Sequence, residues 1–328
     1  MAVMSEMSEM SVKPVKPRVV AIVGPTAVGK SALALELAEA FAAEGAPGEI
    51  INADALQVYR GLDIGTAKPA AEEQRRVPHH LIDILDPEER YSAGQFAERA
   101  REAIDDIEGR GGTPIVVGGS GLYFRALFSG LSPIPPGDPK VRAELEERLA
   151  REGLEALQAE LLTLDPATAE RLGTGDTQRV LRALEVARVS GRPLSEWIAR
   201  QPFGSRELPV TAVGLTLPRS ILYDRIESRV ARMFEAGWID EVRELIERGI
   251  SPESPAFQAI GYRQIAGYLR GLMNREEAMV DIARSTRRFA KRQLTWFRKE
   301  KKVCWFSIDK DNEGPSVSQI FGYIREYR

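Results

Sequence analysis

The sequence predicts an α/β protein, a mostly parallel sheet with flanking helices, interrupted by an all-helical insertion. Three observations carry this. Short runs rich in Val and Ile, at residues 19–23, 49–53, 115–117, 210–217 and 303–308, alternate with long helical patterns, as parallel strands joined by crossovers require. Residues 24–31 form a complete G-x-x-x-x-G-K-S loop between the first apolar run and a helix-like stretch, 32–43. From about residue 138 to 201 strand signals stop, while Asp138-Pro139, Asp165-Pro166 and Asp176 mark successive helix starts.

The elements follow in order. Residues 1–17 are polar, repeat Met-Ser-Glu and end in Pro-rich sequence; they lack the apolar stretch of a secretion signal and predict a disordered tail. Gly24, Pro25, Thr26, Ala27, Val28, Gly29, Lys30 and Ser31 then build an anion cradle. Its backbone N–H groups and the following helix dipole favour phosphate, Lys30 adds a full charge, and Ser31 can ligate Mg²⁺. The loop specifies a phosphate chain without specifying which molecule carries it. The next strand ends at Asp54, where strand carboxyl ends face the ligand crevice. Asp54 is open to three roles: Mg²⁺ ligand, general base, or cap of the next turn.

Residues 57–69, with Gln57, Tyr59, Asp63, Thr66 and Lys68, form a polar, glycine-containing loop, either functional by position or a solvated connection. His79 and His80 are adjacent and have no H-x-x-x-H partner, which favours packing or hydrogen bonding over a metal site. Ser92 suits an N-cap, and 98–108 is helical in period. Residues 116–123 end a strand in a glycine turn, Gly118-Gly119-Ser120-Gly121, that either presents Ser120 to the crevice or makes a tight strand-to-helix turn. The chain has no G-x-G-x-x-G and no N-K-x-D, so neither a dinucleotide site nor a GTPase guanine pocket has support.

Pro133, Pro135 and Pro136 precede the insertion, and Pro202-Phe203-Gly204 closes it. Residues 221–248 read as helical, with Ile226, Val230, Phe234, Val242 and Leu245 as the apolar stripe. Residues 284–302 are strongly basic. Arg284, Arg288, Lys291 and Arg298 fall near one helical face with Phe289, Trp296 and Phe297 interleaved, a pattern suited to nucleic acid or to a solvated face. We therefore expect a tail at 1–17, a core at 18–137 and 206–328, and an insertion at 138–205.

Composition narrows the classes. Hydrophobic residues make up 43 % and charged residues 28 %, enough apolar material for a real core. The net charge of −3 means that any nucleic-acid site is a local patch. Cys304, the single cysteine, excludes an intrachain disulfide framework, fits a reducing cytosol and reads as a buried strand thiol. One Cys and two His make a zinc site improbable. No apolar run reaches membrane-spanning length, so a cytoplasmic protein without a membrane partner is expected.

These segments, in this order and spacing, resemble the bacterial tRNA dimethylallyltransferases, or tRNA isopentenyltransferases. The resemblance runs from about Arg18 to Phe306. It rests on residues 24–31, 52–59 and 63–69, His79-His80-Leu81-Ile82-Asp83, residues 118–123, Ile260-Gly261-Tyr262-Arg263-Gln264 and residues 291–298. It implies a P-loop kinase-like fold and transfer of a dimethylallyl group from dimethylallyl diphosphate to a tRNA. The acceptor is the exocyclic amine of the adenosine 3′ of the anticodon, in tRNAs reading U-initial codons, and diphosphate is released. It further implies Mg²⁺, a monomer, Asp54 as catalytic base, and Lys30 and Arg225 on the diphosphate. Ser120, which stands where many relatives carry Thr, is implied as a catalytic residue whose hydroxyl bonds the bridging oxygen of the donor or the target amine. The tRNA contacts it implies are Asp54, Ala55, Leu56, Gln57, Ser120, Arg142, Gln178, Arg179, Arg182, Gln258, Gly261, Tyr262, Arg263, Lys291, Arg292, Gln293, Thr295, Trp296 and Arg298. Leu181, Ile260 and Leu294 read as core. The rival readings are a small-molecule or nucleotide kinase and a non-catalytic RNA-binding protein.

Overall fold

Thirteen α-helices and six β-strands follow one another in the computed structural model, which describes residues 19–172, 175–200, 207–308 and 316–327. The expected tail at 1–17 and the closing Pro202-Phe203-Gly204 lie outside the described residues. The elements are β1 (Val19–Val23), α1 (Lys30–Ala43), β2 (Gly48–Asn52), α2 (Ala71–Arg76), β3 (His79–His80), α3 (Ala93–Gly109), β4 (Thr113–Gly118) and α4 (Gly121–Phe128). Next come α5 (Pro139–Leu164), α6 (Pro166–Leu172), α7 (Thr177–Ser190) and α8 (Leu194–Arg200). The chain continues through β5 (Val210–Thr216), α9 (Arg219–Glu235), α10 (Trp238–Glu247), α11 (Tyr262–Leu269), α12 (Arg275–Phe297), β6 (Val303–Ser307) and α13 (Val317–Tyr327).

The chain divides into two units, one formed by Met1–Phe124 with Pro209–Arg328, the other by Arg125–Leu208. In the first, six strands make one sheet in the order β3-β2-β4-β1-β5-β6, every neighbouring pair parallel. β1, β2 and β4 are buried along their whole length, which explains the unbroken Val and Ile runs of β1 and β4 in place of alternation. Leu33, Leu37 and Phe41 of α1 pack on Ile22, Ile50, Ile115 and Val213. A second apolar cluster joins Val58 and Leu62 to Phe234, Trp238, Val242, Phe257, Tyr262 and Ile282. The register sets Val23 opposite Gly118 and Asn52 opposite Val117, so β1, β2 and β4 end side by side. That alignment brings residues 24–31, 52–54 and 118–119 to one end of the sheet.

Three local expectations change. The helical period at 221–248 is two helices, α9 and α10, because Gly237 between them takes φ 95°, a left-handed value that breaks the helix. β3 was not anticipated: it is two residues long and set by backbone pairing of His79 and His80 with Ile50 and Ile51. Cys304 is half-buried on β6 rather than enclosed. The histidines engage in hydrogen bonds, His79 Nδ1 with Val77 O at 2.7 Å and His80 Nε2 with Glu49 Oε2 at 2.8 Å. Ser92 caps α3 by accepting from Gln95 N.

Every regular element among the described residues of the second unit is a helix. Asp138 caps α5 through Lys140 N at 2.8 Å, and Asp176 caps α7 through Arg179 N. Asp165, nearly fully enclosed, accepts from Thr168 N and Ser195 N and so ties two helix starts together. Leu145, Leu157, Leu161, Val180, Leu181 and Leu184 form its core.

Candidate functional site

A cavity of about 640 Å³ opens where β1, β2 and β4 end. The phosphate loop forms its floor. Ala27 and Gly29 both take left-handed backbone, φ 65° and 106°, which curls the loop around its own amides. Lys30 folds back over the loop, donating to Gly24 O at 3.1 Å and Pro25 O at 2.8 Å. Burial strips water from its ammonium and pulls the pKa down to about 8, against the attraction of Asp54 and with the repulsion of Arg229. Lys30 and Asp54 therefore face each other electrostatically across one cavity, and both line it.

Asp54 is held by its neighbours. Asn52 Oδ1 accepts from Asp54 N, and Asn52 Nδ2 donates to Asp54 O and Leu81 O. Asp54 Oδ1 accepts from Leu56 N at 2.9 Å. The capping role is thus real and occupies one oxygen, and it fixes the carboxylate at the cavity wall.

Arg225 lines the cavity, and so do Arg229 and Arg232, which sequence reasoning missed. Burial and the neighbouring Arg232 pull Arg229 below the usual guanidinium range, while Asp54 opposes them. The signal was available: positions 225, 229 and 232 repeat at helical spacing beside the apolar stripe already read on α9.

Gln293 was expected among the tRNA contacts. It is instead 6 % exposed. Its Oε1 accepts from Thr26 N at 2.8 Å and its Nε2 donates to Gly119 O at 3.1 Å, so it clips the phosphate loop to the second glycine turn. That turn is glycine-rich for close packing: a Cβ on Gly119 would lie 2.0 Å from Gln293 Nε2, and one on Gly121 would lie 2.1 Å from Trp296 Cδ1. Gly118 and Gly119 line the cavity, whereas Ser120 follows them at the start of α4 and is not among the lining residues. The remaining wall combines polar Gln57, Thr66 and Ser228 with apolar Ala34, Ala67, Pro69, Ile82, Ile221 and Phe289. An anion cradle, three guanidinium groups, the carboxylates of Asp54 and Asp224 and an apolar wall suit a phosphorylated ligand with a hydrocarbon part.

A family model described as IPP transferase matches residues 57–300. The tRNA dimethylallyltransferase of Geobacter metallireducens is 49 % identical over 288 residues, covering 88 % of this chain and 92 % of its own. The chain belongs to the IPP transferase family. The tRNA dimethylallyltransferase of Geobacter sulfurreducens is 47 % identical over 307 residues, 93 % of this chain and 97 % of its own. Among solved structures, the full-length tRNA isopentenylpyrophosphate transferase of Bacillus halodurans has 41 % identity and a TM-score of 0.67, covering 95 % of this chain and 97 % of its own. A eukaryotic dimethylallyltransferase acting on tRNA has 28 % identity and a TM-score of 0.76, covering 90 % of this chain and 75 % of its own. The α/β sheet with flanking helices is the fold expected of an IPP transferase.

The other residues expected from the resemblance to this family fall in three places. Gln258, Arg263 and Arg292 meet with Arg288 around a second depression of about 410 Å³. Lys291, Thr295 and Arg298 are exposed nearby on α12 and at its end. Arg142, Gln178, Arg179 and Arg182 belong to the helical unit; Arg142 is only 13 % exposed and engages Glu146 and Gln178, Arg179 pairs with Asp176, and Arg182 with Glu185. Ala55 and Leu56 are half-buried beside Asp54. Two members of the set need correction. Tyr262 is fully enclosed, donating its hydroxyl to Glu241 at 2.6 Å, and Gly261 is buried under Trp238. Leu181 is core in the helical unit as expected, while Ile260 and Leu294 are half-buried, each against a different apolar cluster of the sheet-containing unit.

Proposed function

We propose that the cavity holds dimethylallyl diphosphate and that the chain transfers its five-carbon group to the exocyclic amine of the adenosine 3′ of the anticodon, releasing diphosphate. The observation that carries this is the shared cavity of Lys30 and Asp54. An exocyclic purine amine is a poor nucleophile because its lone pair is delocalised into the ring. Asp54 takes its proton as the new C–N bond forms and the allylic C–O bond breaks. The allylic carbon tolerates positive character, so the leaving diphosphate chiefly needs charge neutralisation. Lys30, the loop amides, Arg225 and Arg229 supply it, in a cleft that limits access of water to the reacting carbon.

Mg²⁺ fits this donor set. Ser31, Asp54 and Asp224 offer hard oxygen ligands on the cavity wall. No group of three or more His, Cys, Asp or Glu able to hold a metal occurs among the described residues, which suits an ion bound mainly through substrate phosphates. When bound it would further neutralise the departing diphosphate.

The target adenosine must leave the anticodon loop to reach Asp54, at a cost of a few kcal/mol that is smaller in a loop than in a duplex. We assign tRNA binding to the exposed Arg263, Lys291, Arg292 and Arg298, with Arg142, Gln178, Arg179 and Arg182 from the helical unit. tRNAs reading U-initial codons are the proposed substrates. The enzyme is proposed to act as a monomer in the cytoplasm. No described helix is long and apolar enough to cross a membrane.

The test is to incubate the protein with labelled dimethylallyl diphosphate, Mg²⁺ and tRNA lacking the modification. Label entering tRNA supports transfer, whereas ATP hydrolysis without it supports a kinase. Arg292→Ala or Arg298→Ala is expected to weaken tRNA binding and reduce the slope of log affinity against log salt by about 1, with turnover at saturating tRNA retained. Titrations across a range of salt check this. An unchanged slope in both variants would return α12 to an ordinary solvated face.

A further inference from the structure

The cavity wall formed by residues 57–69 hangs on a single remote carboxylate. Glu241, in the first turn of α10, accepts from three successive backbone amides. Its Oε2 takes Asp63 N at 2.9 Å and Ile64 N at 2.6 Å, and its Oε1 takes Gly65 N at 3.2 Å. Tyr262 completes the set, donating to Oε1 at 2.6 Å from a fully buried ring. Consecutive amides converging on an anion are a nest, and here the anion is built into the protein.

The loop is seated on the same elements. Gly65 lies under Trp238, so close that a Cβ there would fall 2.1 Å from the indole Nε1. From this anchor the chain runs directly into the cavity wall. Gln57 Nε2 donates to Thr66 O and Ala67 O, both at 3.1 Å, and Gln57, Thr66, Ala67 and Pro69 all line the cavity. Lys68 secures the far end, engaging Tyr59 O, Asp63 and Asp83. The wall is thus shaped by a residue 176 positions beyond Gly65 in sequence that does not itself line the cavity.

We propose that Glu241 is a positioning residue that sets the shape of this wall and so the fit of the donor's hydrocarbon part, with Tyr262 and Gly65 as its partners. This rests on the donor reading of the cavity given above. The diphosphate end is assigned elsewhere, to residues 24–31 and the arginines of α9, whereas the four bonds of Glu241 go to residues 63–65 and to Tyr262. Grip on the anion and fit of the hydrocarbon are therefore separable.

Glu241→Gln is the direct test. A carboxamide offers an acceptor at only one of the two oxygen positions and places an N–H₂ against donors at the other. Turned one way it loses the Asp63 and Ile64 amides; turned the other it loses Gly65 N, and the Tyr262 hydroxyl must reverse to accept from the new N–H₂. The expected result is a rise of about tenfold in KM for dimethylallyl diphosphate, with kcat at saturation within about twofold. Affinity for inorganic pyrophosphate, measured by calorimetry, should stay within about twofold, because the phosphate cradle is intact. Hydrogen exchange at the amides of residues 63–65 should accelerate while that of β1 does not. Gly65→Ala, which pushes the loop off Trp238 without touching the carboxylate, should reproduce the pattern. It also serves as the second variant if Glu241→Gln does not fold. Parallel loss of pyrophosphate and donor affinity, or an unchanged donor KM with unprotected 63–65 amides, would overturn the proposal. A wild-type protein that binds pyrophosphate but no dimethylallyl diphosphate would instead remove the donor reading itself.

Discussion

Asp54→Asn is expected to lower the rate of transfer by about 10² to 10⁴, the range of a lost general base, with tRNA affinity unchanged. The substitution is unusually clean here. The amide oxygen can still accept from Leu56 N, and the Asn52 brace acts on the Asp54 backbone, so the turn survives. Donor affinity should hold or rise, because the negative charge facing Lys30 and Arg229 is removed while their positive charges remain. Single-turnover rates and direct donor titration separate these effects. The same variant distinguishes the roles open to Asp54. If its carboxylate serves as base, excess Mg²⁺ does not restore the rate. If it serves as metal ligand, raising Mg²⁺ recovers activity. Wild-type turnover would leave Asp54 only as the cap of the turn at Leu56.

Much of this site was legible because its residues are local in sequence. The phosphate loop advertises itself within eight residues, and Asp54 follows from the rule that strand carboxyl ends face the crevice. The parallel sheet was legible for a related reason: strands buried on both faces show unbroken Val and Ile runs, as β1 and β4 do. What escaped was long-range. Gln293 lies 267 residues from the amide it holds, and nothing near it in sequence marks it as a clip for the phosphate loop. Glu241 reads as one acid among several on an amphipathic helix until the fold brings the loop amides onto it. Tyr262 sits in a stretch that resembles a tRNA-contacting segment of the family, yet burial directs its hydroxyl inward. Arg229 and Arg232 differ from these. Their helical spacing is visible in the sequence, but a charged helix face that lines a cavity reads locally like one that meets solvent.

Lys30→Met is expected to reduce kcat/KM for the donor by about 10² to 10³, comparable to the loss of one preorganised donor to a developing anion. Its pH dependence identifies the cause. In the ligand-free cavity burial holds the Lys30 pKa at about 8, against an ordinary value of 10.5. A bound diphosphate favours the ammonium, so above pH 8 the site must take up a proton to bind. Donor affinity in the wild type should be flat below pH 8 and fall by up to about tenfold per pH unit above it. The arginines facing the same space stay charged throughout, so in Lys30→Met this fall should vanish. Stability moves the other way, because a depressed lysine pKa means that folding works against the charge. Below pH 8 the group is protonated in both states and the burial cost is present in full. Between 8 and 10.5 the folded state sheds the proton first, and the wild type gains stability as pH rises. Lys30→Met should therefore raise the Tm at neutral pH, and the gain should shrink across that window. A variant that loses donor affinity and Tm together at pH 7 would show instead that the Lys30 bonds to Gly24 and Pro25 hold the loop in shape, and that its charge matters less.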